Sequence, residues 1–296
     1  MKIHIVESIK FDAKQKRRLK QLGEVKYFEG VPSVEELLDR AEGADILCVD
    51  WAPIDAAIPR MKPGIKLISV PFTGVGFLPL NEAAGKGIKI ANAPGFGTES
   101  VGEFGIGLML ALVRGIHTYV KGQPNVEVGP GLYKRTVGIL GAGRIGKYVG
   151  KVCKSLGMKV IYWTRGMPLT EVLSRSDIVF CALSQSKETE GLLGRKEFDM
   201  MKKGSYFVTI SPDIIYDRSA LLEALDKNLA GAATDLAFIT TGDYKSEAWL
   251  ALKDHPKMLV TPHVAWKTDY AVRKSYDIQI DNVEAFIGGN PINLVN

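Results

Sequence analysis

TVGILGAGRIGKYVGKVCKSLGMKVIYWTR, residues 136–165, is the stretch that decides the fold. An apolar, strand-like run enters Gly141-x-Gly143-x-x-Gly146, an amphipathic helical stretch follows, and a second apolar run ends at Trp163. Gly141 permits the tight turn, Gly143 lets backbone approach a pyrophosphate with no Cβ in the way, and Gly146 lets helix pack closely on strand. The helix N-terminus then offers phosphate its unpaired N–H groups. Three glycines at this spacing occur in many turns. Here the strand before, the helix after and the βαβ length all agree, and together they point to a dinucleotide site.

The same alternation extends in both directions. Short apolar runs at residues 2–6, 46–49, 67–70, 88–91, 136–140, 159–163, 178–182, 206–210, 231–234 and 258–260 read as strands. Most are nearly continuous in apolar residues, as strands buried on both faces of a parallel sheet should be. Helical patterns lie between them at 33–41, 102–114, 145–156, 169–174 and 218–227. This predicts an α/β chain with right-handed crossovers. The first hundred residues hold a complete alternation of their own, and GQPNVEVGPG, residues 122–131, is a Gly- and Pro-rich break before the strand at Thr136. That break reads as a surface connection or arm between two doubly wound parallel-sheet lobes. A last helix, about 269–287, can return to either lobe.

Composition narrows the function classes. Of 296 residues, 46% are hydrophobic and 24% charged, which excludes a disordered or fibrous chain. No apolar run reaches the ~18 residues of a membrane helix, and Met1 leads directly into KIHIV rather than into a leader peptide. The expectation is a cytoplasmic protein without membrane contact. Cys48, Cys153 and Cys181 are far apart in apolar surroundings, so neither a disulfide framework nor a metal site is expected. The net charge of +5 is modest. The densest basic run, KQKRRLK at 14–20, has no interleaved aromatics and reads as a solvated helix face rather than a nucleic-acid surface.

The end of the second strand of such a unit usually carries an acid for the ribose hydroxyls of NAD. Here that position is Thr164, followed by Arg165. A hydroxyl with a guanidinium favours a 2′-phosphate, which a carboxylate would repel, so NADP is preferred over NAD. The alternative is a solvated loop arginine, with NAD bound without an acid. The missing acid also argues against an S-adenosylmethionine site.

Several further segments appear in an order that resembles the D-isomer-specific 2-hydroxyacid dehydrogenase family over nearly the whole chain. They are VPFTGVGFLPLNEAAGKGIKIANAPGFGTESVGE (70–103), SDIVFCALSQSKETEGLLG (176–194), MMKKGSYFVTI (200–210), GAATDLA (231–237), VTPHVAWKT (260–268) and NVEAFIGGNPINLVN (282–296). The flavour of residues 94–101 leans toward the glycerate dehydrogenase and hydroxypyruvate-glyoxylate reductase branch. The resemblance implies a flavodoxin-like substrate lobe (1–98 and 267–296), a Rossmann cofactor lobe (99–266), and a homodimer acting on a small-molecule substrate. It implies dinucleotide contacts from Gly141, Gly143, Arg144, Ile145 and Gly146, from Thr164 and Arg165, and from Leu183, Thr189, Ile210, Asp235, His263 and Ala265. In that scheme the N–H groups of Val75 and Gly76 hold a substrate carboxylate, His263 is the general acid for reduction, and Asp235 sits near the nicotinamide.

Two positions depart from the family pattern. Pro212 and Asp213 stand where members carry an Arg–Gly pair, and Thr240 stands where a glutamate follows the aspartate. Proline supplies no donor for a carboxylate, and threonine supplies no charge to raise a histidine pKa. Loss of one member of such a set costs on the order of a thousandfold in rate. His263 is then either catalytic without its partner or structural. Asp213 is either a new active-site acid or a turn residue, and Asp217, before RSALLEAL, has the look of an N-cap. Three readings compete: an NADPH-dependent reductase of small carbonyl compounds with an atypical site, a non-catalytic dinucleotide sensor or scaffold, and an ordinary 2-hydroxyacid dehydrogenase in which Arg218 or Lys267 replaces the arginine.

Overall fold

The computed structural model describes residues 1–120, 122, 130–235 and 247–296, with backbone alone for 247–249. The expected connection at 122–131 falls mostly outside these residues, as do Thr240 and the rest of 236–246. The chain divides into two compact units, one made of residues 1–97 and 269–296, the other of 98–268.

The first unit contains β1 (Lys2–Ile5), β2 (Glu24–Tyr27), β3 (Ile46–Cys48), β4 (Leu67–Ser69) and β5 (Lys89–Ala91), all parallel, in the order β2-β1-β3-β4-β5. This is the flavodoxin-like winding, with its change of direction at β1. Ile3, Ile5, Ile46, Leu47, Leu67 and Ile68 are fully buried, because helices cover both faces of the sheet. The strand Glu24–Tyr27 has no counterpart among the apolar runs of the sequence. Its burial pattern is almost wholly exposed, as fits an edge strand with no apolar run to announce it.

The basic run at 14–20 lies on the helix Ala13–Leu22, capped by Asp12 in a reciprocal pair with Gln15. Its Leu19 is buried, while Arg18 reaches Asp281 and Glu284, both at 2.7 Å, on the helix Asp269–Ile287. That last helix therefore returns to the first unit. Gln279 donates to the carbonyls of Val49 and Ser69, and Asn282 to that of Asn92, which pins the helix across three strand ends.

The second unit contains β6 (Thr136–Leu140), β7 (Lys159–Trp163), β8 (Ile178–Cys181), β9 (Ser205–Thr209), β10 (Leu229–Thr234) and β11 (Met258–Val260) in the parallel order β11-β10-β9-β8-β6-β7. The order reverses at β6, so the loop that leaves β6 occupies the switch point, where open α/β sheets bind ligands. Phe180, Phe207, Val208 and Ile139 fill the core around it.

All three cysteines are free and buried, and burial pushes the Cys48 thiol to about 12 and the Cys153 thiol to about 11. Among the described residues no His, Cys, Asp and Glu side chains gather to hold a metal ion, and no helix is long and apolar enough to cross a membrane.

Candidate functional site

The loop after β6 has the shape its glycines predict. Gly141 lies at φ +103°, where an L side chain is strained, and a Cβ there would press on the carbonyl oxygen of Ala182. Gly146 faces the carbonyl oxygen of Gly141 so closely that a Cβ would collide with it. Gly143 differs. A Cβ on it would meet nothing within 4 Å, so this glycine keeps a space empty rather than relieving a contact.

Gly143 is also the N-cap of the helix Arg144–Ser155, and no side chain caps that end. The first N–H groups, beginning with Arg144 and Ile145, are thus left for an external anion, which the helix dipole favours. An open cradle, a bare helix N-terminus and a location at the switch point fit the pyrophosphate of a dinucleotide.

Around this loop stand the ends of β7, β8 and β9. The Thr164 hydroxyl is turned toward the Met167 sulfur at 3.4 Å, and Arg165 Nη2 lies 3.5 Å from Glu188 Oε2 on the loop after β8. The Leu183 N–H donates to the Ser211 hydroxyl at 2.7 Å, which ties the ends of β8 and β9 together. Thr189 is buried, and its hydroxyl is committed within its own loop: it accepts from the Ser186 N–H at 2.8 Å and donates to the Ser184 carbonyl at 2.8 Å. Ile210 is a core residue below the loop, its N–H on the Cys181 carbonyl.

The strongest local construction is at the ends of β10 and β11. The Asp235 carboxylate is 1% exposed and accepts from the Thr261 hydroxyl at 2.6 Å, the Val264 N–H at 3.0 Å and the Ala265 N–H at 2.8 Å. Burial raises its pKa, against the opposing hydrogen bonds from Thr261, Val264 and Ala265 and the charge of His263. The His263 N–H donates to the Asp235 carbonyl at 2.6 Å, and His263 is held at φ +53°, a left-handed conformation rare for a non-glycine residue. Its ring makes no hydrogen bond among the described residues. Burial lowers the imidazole pKa, Asp235 opposes this, and Lys267 adds to it. Lys267 Nζ stands 5.6 Å over the Trp266 ring. A groove of about 470 Å³ opens beside this loop, lined by Ser100, Glu103, Phe104, Val264, Ala265, Lys267 and Thr268.

The departure after β9 is resolved in part. Pro212 leads into a single turn, Asp213–Ile215, in which Asp213 is buried with its Oδ2 3.2 Å from Arg218 Nη2. This contact is an ion pair without hydrogen-bond alignment, since Oδ2 has no hydrogen-bond partner. Asp213 is therefore a charge-paired turn residue, and Arg218, weighed above as a substitute anion clamp, is engaged by it. Asp217 caps the helix Arg218–Lys227 by accepting from the Ala220 N–H at 2.9 Å, so its capping role stands.

In the first unit, Val75 and Gly76 follow β4 in a loop braced by Thr73 on the Ala93 carbonyl and Asn92 on the Thr73 carbonyl. Their N–H groups have no hydrogen-bond partner among the described residues, and Gly76 is exposed. These two adjacent amides are left to solvent or an external acceptor. Residue reading does not single out Thr261, Ser211 or Glu188: Thr261 and Glu188 lie inside quoted segments, but their partners Asp235 and Arg165 are distant in sequence and nothing local marks the contact.

Residues 106–265 match the family described as D-isomer specific 2-hydroxyacid dehydrogenase, NAD binding domain. The chain belongs to the D-isomer specific 2-hydroxyacid dehydrogenase family. This dehydrogenase is 30% identical over 304 residues to a hydroxypyruvate reductase of Blautia hydrogenotrophica, covering 94% of each chain. It is 31% identical over 290 residues to a glycerate dehydrogenase of Methylorubrum extorquens, covering 92% of each. Among solved structures, the TT0316 protein from Thermus thermophilus superposes with a TM-score of 0.81 at 27% identity and 100% coverage of both chains. As a member of this family the chain is a dehydrogenase/reductase working between CH–OH and oxo groups, and its second unit carries the family's NAD-binding domain.

Proposed function

We propose that this dehydrogenase prefers NADP(H) and reduces a small carbonyl or 2-oxo-acid-like substrate at an atypical site. One observation carries the reading: His263 is held on a loop that buried Asp235 locks in place, with its ring left without a hydrogen-bond partner among the described residues. The ring is half-buried, so it can meet solvent or a substrate.

In this reading the 98–268 unit is the dinucleotide-binding lobe and the 1–97 and 269–296 unit the substrate-binding lobe, and the enzyme is a homodimer. Gly141, Gly143 and Gly146 with the N–H groups of Arg144 and Ile145 hold the pyrophosphate. Arg165 takes the 2′-phosphate as a charge-assisted partner. Leu183, Thr189, Ile210 and Ala265 shape the walls of that site from below and beside it. When bound, the reduced nicotinamide supplies the hydride that goes to the carbonyl carbon. Protonated His263 gives its ring proton to the carbonyl oxygen and is left as neutral imidazole, and in the oxidation direction it takes that proton back. The Val75 and Gly76 N–H groups take a substrate carboxylate where there is one.

The site is atypical because Pro212 offers no donor and Asp213 occupies Arg218, which removes the bidentate clamp from this position. Uncharged carbonyl compounds therefore join 2-oxo acids as candidate substrates. The test is oxidation of NADPH and NADH by the purified protein against glyoxylate, hydroxypyruvate and pyruvate beside uncharged aldehydes and ketones. Turnover with NADPH favoured is expected. Tight binding of NADPH with no oxidation by any compound would overturn this reading in favour of dinucleotide sensing, and equal use of both cofactors would remove the NADP preference.

A further inference from the structure

The strand order places β6 between β8 and β7. The loop after β7, which carries Arg165, and the loop after β8, which carries Glu188, therefore flank the glycine loop from opposite sides. Their side chains meet in an ion pair at 3.5 Å, so one charge pair spans the carboxyl end of β6.

Glu188 is presented there by a built turn. The Thr189 hydroxyl bridges the Ser186 N–H and the Ser184 carbonyl, and the N–H groups of Thr189 and Glu190 both donate to the Ser186 carbonyl at 3.0 Å. The Ser186 hydroxyl, the local backbone and Arg165 hold the Glu188 carboxyl below the usual carboxylate range, so it is charged at neutral pH. The side chains of Arg165 and Glu188 are 72% and 64% exposed, which makes the pair weak and open to exchange of partners. At the end of β7, where a ribose-binding acid belongs, Thr164 has its hydroxyl on Met167 and no carboxylate stands beside it on that strand.

We propose that Glu188 sets the cofactor ratio: its carboxylate competes with a 2′-phosphate for the Arg165 guanidinium and accepts from the ribose hydroxyls of NAD in place of the missing strand-end acid. This rests on Arg165 as the 2′-phosphate partner. A 2′-phosphate draws Arg165 off Glu188 and brings a like charge toward it. NAD brings two hydroxyl donors and leaves the pair intact.

The experiment is equilibrium binding of NADPH and NADH, read by calorimetry, to the wild type, Glu188→Gln, Arg165→Ala and the double variant. Glu188→Gln tightens NADPH by about two- to fivefold, the scale of an exposed ion pair, and weakens NADH by a similar factor. The NADPH gain vanishes when Arg165 is also alanine. An unchanged ratio of the two affinities in Glu188→Gln, or a gain that persists without Arg165, overturns the role of Glu188. Arg165→Ala alone keeps the two readings apart. Equal weakening of both cofactors would defeat the NADP assignment and this proposal with it, whereas a loss confined to NADPH beside an inert Glu188 would defeat only the latter.

Discussion

The Asp235 carbonyl oxygen accepts the His263 N–H at 2.6 Å, while the carboxylate of the same residue accepts the next two N–H groups, those of Val264 and Ala265. One buried aspartate thus takes three consecutive amides and holds a histidine at φ +53°. A conformation of this kind persists only where its surroundings over-determine it.

Asp235→Ala should leave the Val264 and Ala265 amides without their acceptor and the Thr261 hydroxyl with only the Thr234 carbonyl, 3.3 Å away. Each such loss costs about 1–3 kcal/mol, so a fall in stability of at least about 2 kcal/mol is expected. Asp235→Asn keeps one acceptor oxygen and should lose less. Denaturant midpoints check the order, and equal stabilities of the two variants would contradict it. Turnover should fall in both, since the His263 loop loses its anchor.

His263→Ala removes the proposed proton donor without touching the glycine loop. Turnover should drop by about 10²–10⁴-fold while NADPH affinity stays within a small factor of wild type. Calorimetry and steady-state rates on the same preparation separate the two effects. Turnover that survives would return His263 to a structural role.

Burial pushes the His263 pKa below its usual 6.5, with Asp235 in opposition. The imidazolium that the proposed reduction needs is then scarce at neutral pH, and reduction should speed up as pH falls from neutral through the usual 6.5. Oxidation of the alcohol needs the neutral ring and should hold its rate below that pH before declining. The sign for stability is separate: a histidine kept neutral by burial contributes fully above its unfolded pKa, and that contribution is lost as pH falls through the folded one. Rate profiles in both directions test this, and parallel profiles would exclude His263 as the titrating group.

Two glycines of one fingerprint, Gly143 at the helix cap and Gly146 in its first turn, should respond differently to the same methyl group. Gly146→Ala drives a Cβ into the Gly141 carbonyl and should destabilise the protein by about 1–3 kcal/mol, because backbone must move. Gly143→Ala meets nothing within 4 Å and should fold normally. Its penalty belongs in dinucleotide affinity, where the Cβ occupies the approach. Melting temperature and NADPH binding, measured on both variants, check the contrast.

Asp50, at the carboxyl end of β3, accepts a hydrogen bond from the Tyr276 hydroxyl at 2.9 Å. Burial raises its pKa to about 6; the Tyr276 hydroxyl opposes the shift and the charge of Glu7 reinforces it. A carboxyl with a raised folded pKa binds its proton in the native state between pH 4 and 6, so ionising it costs stability as pH rises through about 6. Asp50→Asn should therefore stabilise the protein by up to about 3 kcal/mol at pH 8 and by about half of that at pH 5. Thermal unfolding at the two pH values decides it.

The sequence by itself determined the local grammar of this protein. The glycine loop, the Asp217 cap and the alternation of apolar strands with amphipathic helices are readable because each depends on residues within a few positions of one another. The edge strand Glu24–Tyr27 escaped for the complementary reason: an edge needs no apolar run, so nothing distinguishes it from loop until it pairs with β1. Only the tertiary structure decided which strands became neighbours. Parallel pairing of β10 with β11 brings Asp235 to a loop 28 residues further on, and the placing of β6 between β7 and β8 brings Arg165 to Glu188. It also decided that Asp213 meets Arg218, where sequence could offer only an acid near the end of a strand. A buried carboxylate takes its role from the donors that the fold places around it, and those donors come from distant parts of the chain.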